Sequence, residues 1–143
     1  MRTGLVLVLG LGLTAACTRV VDVRTTSEIR PMRYAILEIT TQVASQDSAI
    51  AYAKRALAAE NIKLIREERA TGTVEGGPVH VNAEGDQPAL DATVTITTNA
   101  QNTAGRFRVY ASAVLPAGAV GGVDPRLTAL VQRVSKRIES MSQ

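Results

Sequence analysis

One cysteine, one histidine, one phenylalanine, three tyrosines and no tryptophan stand among 143 residues. Each scarcity removes a class of chemistry. Cys17 has no second thiol for a disulfide, and no metal-ligand spacing surrounds it. A Ser-His-Asp arrangement would have to use His80, yet neither a Gly-x-Ser-x-Gly elbow nor a Ser-x-x-Lys pair supplies a nucleophile. His80 has Glu84 and Asp86 nearby, but the three match no known ligand pattern, which favours an ordinary exposed histidine. Gly118, Gly121 and Gly122 neither follow a strand nor precede Lys-Ser or Lys-Thr, so no phosphate cradle is visible. Sixteen basic residues face 13 acidic ones, a near balance with no long run of Lys and Arg. With aromatics this few, base-stacking platforms are missing too, and both deficits argue against nucleic-acid binding. The expectation is a chain with no catalytic residues, no cofactor and no metal.

Long hydrophobic stretches are equally scarce. The one apolar run, Leu5–Leu13 (LVLVLGLGL), is too short for a hydrocarbon core, which needs ~20 residues. Arg2 precedes it and the small residues Thr14, Ala15 and Ala16 follow, the layout of an export signal. Leu13-Thr14-Ala15-Ala16-Cys17 resembles the lipobox of bacterial lipoproteins, with Thr14 where Leu is commonest. The resemblance covers residues 1–18 only. It implies a diacylglyceryl group on the Cys17 sulfur, cleavage of residues 1–16 and acylation of the freed amine, so that Cys17 is the lipid attachment point. Several acyl chains on one residue make release negligible, at ~0.8 kcal/mol per buried methylene. Thr18 follows the cysteine, and under the enterobacteria-like sorting that the resemblance implies, the absence of Asp there points to the outer membrane, facing the periplasm.

Residues 17–31 then form the lipidated N-terminus and a polar tether, although Val20–Arg24 reads equally as an edge strand. Residues 32–143 have the length of one domain. Arg33–Thr41 (RYAILEITT) is a strand with Ala35, Leu37 and Ile39 on its buried side. Ser45 or Asp47 caps a helix whose stripe is Ile50, Ala53 and Leu57, flanked by Ala49 and Ala56. Ile62–Val74 reads as a second strand with a charged centre. Its Glu67 and Glu68 are adjacent, so a regular strand turns them to opposite faces and they cannot both line one pocket. Glu75–Pro88 is punctuated by glycine and proline and reads as a long loop holding His80. Leu90–Thr98 and Arg106–Leu115 alternate as a hairpin, with Ala92, Val94 and Ile96 toward a core and Thr93, Thr95 and Thr97 toward water. Pro116–Val123 is a second loop. Asp124-Pro125 opens the last helix, whose apolar stripe is Leu127, Leu130, Val131, Val134, Ile138 and Met141. Arg133, Lys136 and Arg137 lie off that stripe, as a solvated basic face.

The order β-α-β-β-β-α predicts an α+β fold, a small two-layer sandwich. A mostly antiparallel sheet of about four strands carries two helices on one face, and the threonine-rich face stays open for solvent or docking. Three functional expectations follow, in order of preference. The first is a membrane-tethered accessory or interaction protein that binds another envelope protein through its sheet face or edge strand. The second is a small-ligand or cell-wall-polymer binder using the two loops. An enzyme comes last.

Overall fold

The longest register in the sheet joins β1 (Met32–Gln42) to β5 (Ala104–Val114), antiparallel from Met32↔Val114 to Gln42↔Ala104. β4 (Leu90–Gln101) lies on the other side of β5, from Thr93↔Ser112 to Gln101↔Ala104. In the computed structural model, which describes residues 30–143, these three strands form the centre of the protein. All three alternate. Ala35, Ala92, Val94, Ile96, Phe107, Val109, Ala111 and Ala113 are buried on one face, while the residues between them are half-buried or exposed on the other.

Both helices cover that apolar face. α1 (Gln46–Ala59) is capped by Ser45, whose side chain accepts the Ser48 backbone N–H at 3.2 Å. Its inward ridge is Ala49, Ala53 and Ala56 beside Ile50 and Leu57, and the three alanines are fully buried. Methyl-sized side chains on that ridge let the helix lie close to β3 and β4. α2 (Pro125–Ser140) packs on β1 and β5 with the stripe Leu127, Leu130, Val131, Val134 and Ile138, and touches α1. Asp124 caps it, and Pro125 opens it with the backbone angle the helix already needs. Arg133 and Arg137 reach Glu60 at 3.4 and 2.9 Å, fastening the two helices at their outer side.

The sheet has six strands rather than about four, in the order β2-β3-β4-β5-β1-β6. It is mixed, because β6 (Gly122–Val123) runs parallel to β1 through Arg33↔Gly122 and Tyr34↔Val123. The stretch expected as one strand over Ile62–Val74 is instead a hairpin: β2 (Leu64–Glu68), a turn, then β3 (Thr73–Val81), with Glu68 opposite Thr73. Gly72 makes the turn at φ +67°, with its carbonyl bound by the Thr98 N–H and hydroxyl at 2.8 and 3.0 Å. The loop expected over Glu75–Pro88 shrinks correspondingly, since residues 75–81 belong to β3. Gly76, Gly77 and Pro78 lie within that strand at a register shift against β4. The smallness of Gly76 answers a packing need, because a Cβ there would stand 2.8 Å from Ile62 Cγ2 and 3.0 Å from Leu57 Cδ1. Within the loop expected over Pro116–Val123, residues 122–123 form β6.

Candidate functional site

Across the uncovered face of the sheet, side chains line up in rows. Thr93, Ser112 and Tyr34 form one row and Thr95, Tyr110 and Ile36 the next, followed by Thr97, Arg108 and Glu38. Thr93, Thr95 and Thr97 thus share one strand of this face, as their alternation implies. The Tyr34 and Tyr110 rings sit 6.4 Å apart, tilted by 30°. Ile36 is 42 % exposed, and Arg108 Nε stands 3.8 Å from Glu38 Oε1, a long and solvated pair. At the lower end of the face, Glu38, Thr40, Thr97, Asn99, Arg106 and Arg108 line an open depression of about 390 Å³.

The two edges of the sheet differ. β2 is five residues long, carries a register shift and presents Arg66, Glu67 and Glu68, features that discourage pairing with another strand. Its charges are matched locally: Arg66 to Glu75 at 3.2 Å, and Glu67 to Lys54 at 2.9 Å. The Lys54 ammonium, with Arg69 beside it, holds the Glu67 carboxyl below the usual carboxylate range. Glu68 instead lies near Arg66, 3.8 Å away, so the adjacent carboxylates serve different neighbours and form no dyad.

β1 is different. Its upper part is covered by β6, and the Tyr34 carbonyl accepts the Asp124 N–H at 3.0 Å. From Ile36 to Gln42, β1 has a strand neighbour on the β5 side alone among the described residues. Backbone groups alternate along a strand, so if Tyr34 points outward, Ile36, Glu38 and Thr40 do as well. Seven residues of ladder capacity stand beside an open sheet face.

The other expected positions are scattered. His80 is not in a loop but on β3, opposite Asp91, with Nδ1 3.1 Å from Asp91 Oδ1 and both side chains exposed. Glu84 and Asp86 sit in the loop beyond, and among the described residues no three His, Cys, Asp or Glu side chains gather as a metal group. That loop is fastened from below by Arg126, whose Nη1 donates to the Asn82 and Pro88 carbonyls at 2.8 and 2.9 Å. The loop therefore has a structural support that glycine and proline content does not foretell. Cys17 and Val20–Arg24 lie outside the described residues. Among the described residues no helix is long and apolar enough to cross a membrane. The free β1 edge escaped the sequence reading, because it depends on which strands become neighbours.

The fold is α+β, with two helices and a mixed sheet of six strands. No family model and no curated protein matches the chain. Among solved structures, the crystal structure of Ara h 8.0201 is similar over 78 % of this chain and 97 % of that one, with a TM-score of 0.46 and 11 % identity.

Proposed function

We propose that the chain is a bacterial envelope lipoprotein. It is lipid-anchored through Cys17, at the outer membrane and facing the periplasm, and its domain acts as a non-catalytic accessory that docks another envelope protein. The anchor rests on the lipobox-like run before Cys17. The docking role is carried by one observation: the sheet bears both helices on one face, leaving the threonine face bare and the β1 edge open from Ile36 to Gln42 among the described residues. An edge of this kind takes an extended segment by main-chain hydrogen bonding, with specificity from alternate side chains. Tethering to a bilayer raises the effective concentration of the domain near other membrane proteins, so modest contacts suffice.

Photo-crosslinking in cells tests this. A photoreactive residue at Thr95 or Glu38 captures one dominant envelope protein, whereas the same residue at Lys136 on the outer side of α2 does not. Capture at Lys136 alone would place the contact on the helices and refute the docking surface. A second reading, small-ligand or cell-wall-polymer binding, draws on the 390 Å³ depression with Arg106 and Arg108 rather than on the two loops. It predicts that anionic wall fragments raise the melting temperature and that Arg106→Ala abolishes the rise.

A further inference from the structure

The exposed large apolar residues are not spread evenly. Met32, Tyr34, Val114, Val120 and Val123 are 38, 38, 59, 76 and 60 % exposed, and all lie at one end of the sheet. The register explains their proximity: Met32 stands opposite Val114, and Tyr34 opposite Val123. Four of the five therefore share the uncovered face, and Val120 projects from the loop just before β6. Solvent-exposed apolar clusters of this kind mark contact surfaces rather than chance.

This end is also where the chain from Cys17 arrives. Pro31 immediately precedes β1, and its carbonyl accepts the Leu115 N–H at 2.9 Å, tying the arriving chain to the end of β5. Thirteen residue steps separate Cys17 from Arg30. Fully extended they reach at most about 45 Å, an upper limit on how far this end can stand from an anchored Cys17. Arg30 is exposed just before β1, so a cationic side chain stands at the start of the strand that carries the cluster, while Arg33, opposite Ala113, belongs to the helix-covered face. Tyrosine and long cationic side chains next to apolar ones suit the boundary between headgroups and acyl chains.

We infer that the apolar end formed by Met32, Tyr34, Val114, Val120 and Val123 rests on the lipid surface to which the protein is anchored. The inference depends on the anchor reading of Cys17 and adds an orientation to it. With this end on the bilayer, the Thr95 and Thr97 rows and the free part of β1 point away from the membrane, toward a periplasmic partner. The domain makes two contacts on one sheet face, lipid at the top and protein below.

The test uses the full chain expressed in a bacterial host fed a palmitate analogue carrying both a photoreactive diazirine and an alkyne. Label on Cys17 without light reports the anchor. Light-dependent adducts from labelled phospholipids report the surface contact. The expected result is label on Cys17 together with adducts on the fragments holding residues 32–34 and 114–123, and none on Leu64 and Ile65. Those two are also exposed, at 40 and 53 %, and so control for exposure alone. Val114→Asp with Val123→Asp should lower the adducts at least about tenfold, since the part of each valine that is exposed contributes to transfer from water into an apolar phase, with Cys17 label unchanged. An unchanged melting transition confirms that this variant folds. Adducts absent, or equal on Leu64 and Ile65, overturn the lipid contact while the anchor stands. An unlabelled Cys17 overturns both. Light-dependent links from these positions to a second copy or another protein give the patch to that partner and overturn the assignment to lipid.

Discussion

Arg126 Nη2 lies 2.8 Å from Asp124 Oδ2, while Asp124 Oδ1 accepts both the Arg126 backbone N–H at 2.9 Å and its Nε at 3.1 Å. The Asp124 side chain is fully buried and that of Arg126 only 9 % exposed. One ion pair thereby caps α2, holds the Asn82–Pro88 loop through two carbonyls and, through the Asp124 N–H, ties α2 to β1. Desolvation makes such a pair expensive to break from one side, because the surviving charge stays buried.

Arg126→Leu should therefore destabilise the domain by about 3–5 kcal/mol. Asp124→Asn keeps an acceptor for the cap and loses a charge-assisted bond, at about 1.5–3 kcal/mol. Urea unfolding of the two variants checks the order; equal losses would mean that the arginine acts only through the cap.

The same pair sets the acid limit of stability. Side-chain hydrogen bonding from Arg126, first among the causes, holds the Asp124 carboxyl below its ordinary value of 3.8. A group depressed on folding contributes stability that is fully present above the unfolded value and is lost as pH falls through the folded one. The stability difference between wild type and Asp124→Asn should be flat from about pH 5 to about pH 8 and shrink below about pH 4. Arg126 is shifted the other way, upward, chiefly by its hydrogen bond to the Asp124 carboxylate, so its share changes only at extreme alkalinity. Unfolding curves at stepped pH measure this, and a difference that varies near neutrality would contradict it.

Two glycines with the same backbone sign should respond unequally to alanine. Gly72, at φ +67°, is crowded: an added Cβ would collide with the Gln46 amide and stand 2.8 Å from Thr98 Oγ1. Gly85, at φ +56°, has nothing within 4 Å. Gly85→Ala should cost about 1–2 kcal/mol for the left-handed backbone alone. Gly72→Ala should cost more, because it also displaces the bonds from Gln46 Nε2 to the Thr98 carbonyl and hydroxyl at 3.2 and 2.9 Å. Thermal melts of both variants compare them directly.

Ile36→Lys and Thr95→Lys alter the open face without touching the core. Each should change stability by no more than about 0.5 kcal/mol, as for other surface substitutions. Under the proposed docking role, crosslinking to an envelope protein should nevertheless fall sharply. Retained capture by both variants would remove the threonine face from the docking surface.

Much of this architecture could be read locally. The α2 stripe, its Asp124-Pro125 start and the β4–β5 alternation are properties of neighbouring residues, and each recurs in the structure. The misses share one cause. Gly76-Gly77-Pro78 looks like turn material, yet the glycine is small because Leu57 and Ile62 press against it, a demand that comes from another element. Arg69–Gly72 divides a stretch that reads as continuous, and the bond partner that steadies its turn is Thr98, 26 residues from Gly72. β6 is two residues long and exists because β1 lies alongside. The threonine row was legible for the same reason as β4 itself. The β1 edge left open among the described residues and the apolar end were not, because both arise from strand order rather than from local pattern.

The unequal borders of the sheet limit how molecules of this kind can gather. Among the described residues a ladder can grow past β1, while the short, charged β2 on the far side discourages continuation. One molecule is thus suited to accept a single visiting strand on one side. Among the described residues, association by this route therefore favours a closed pair over a fibre.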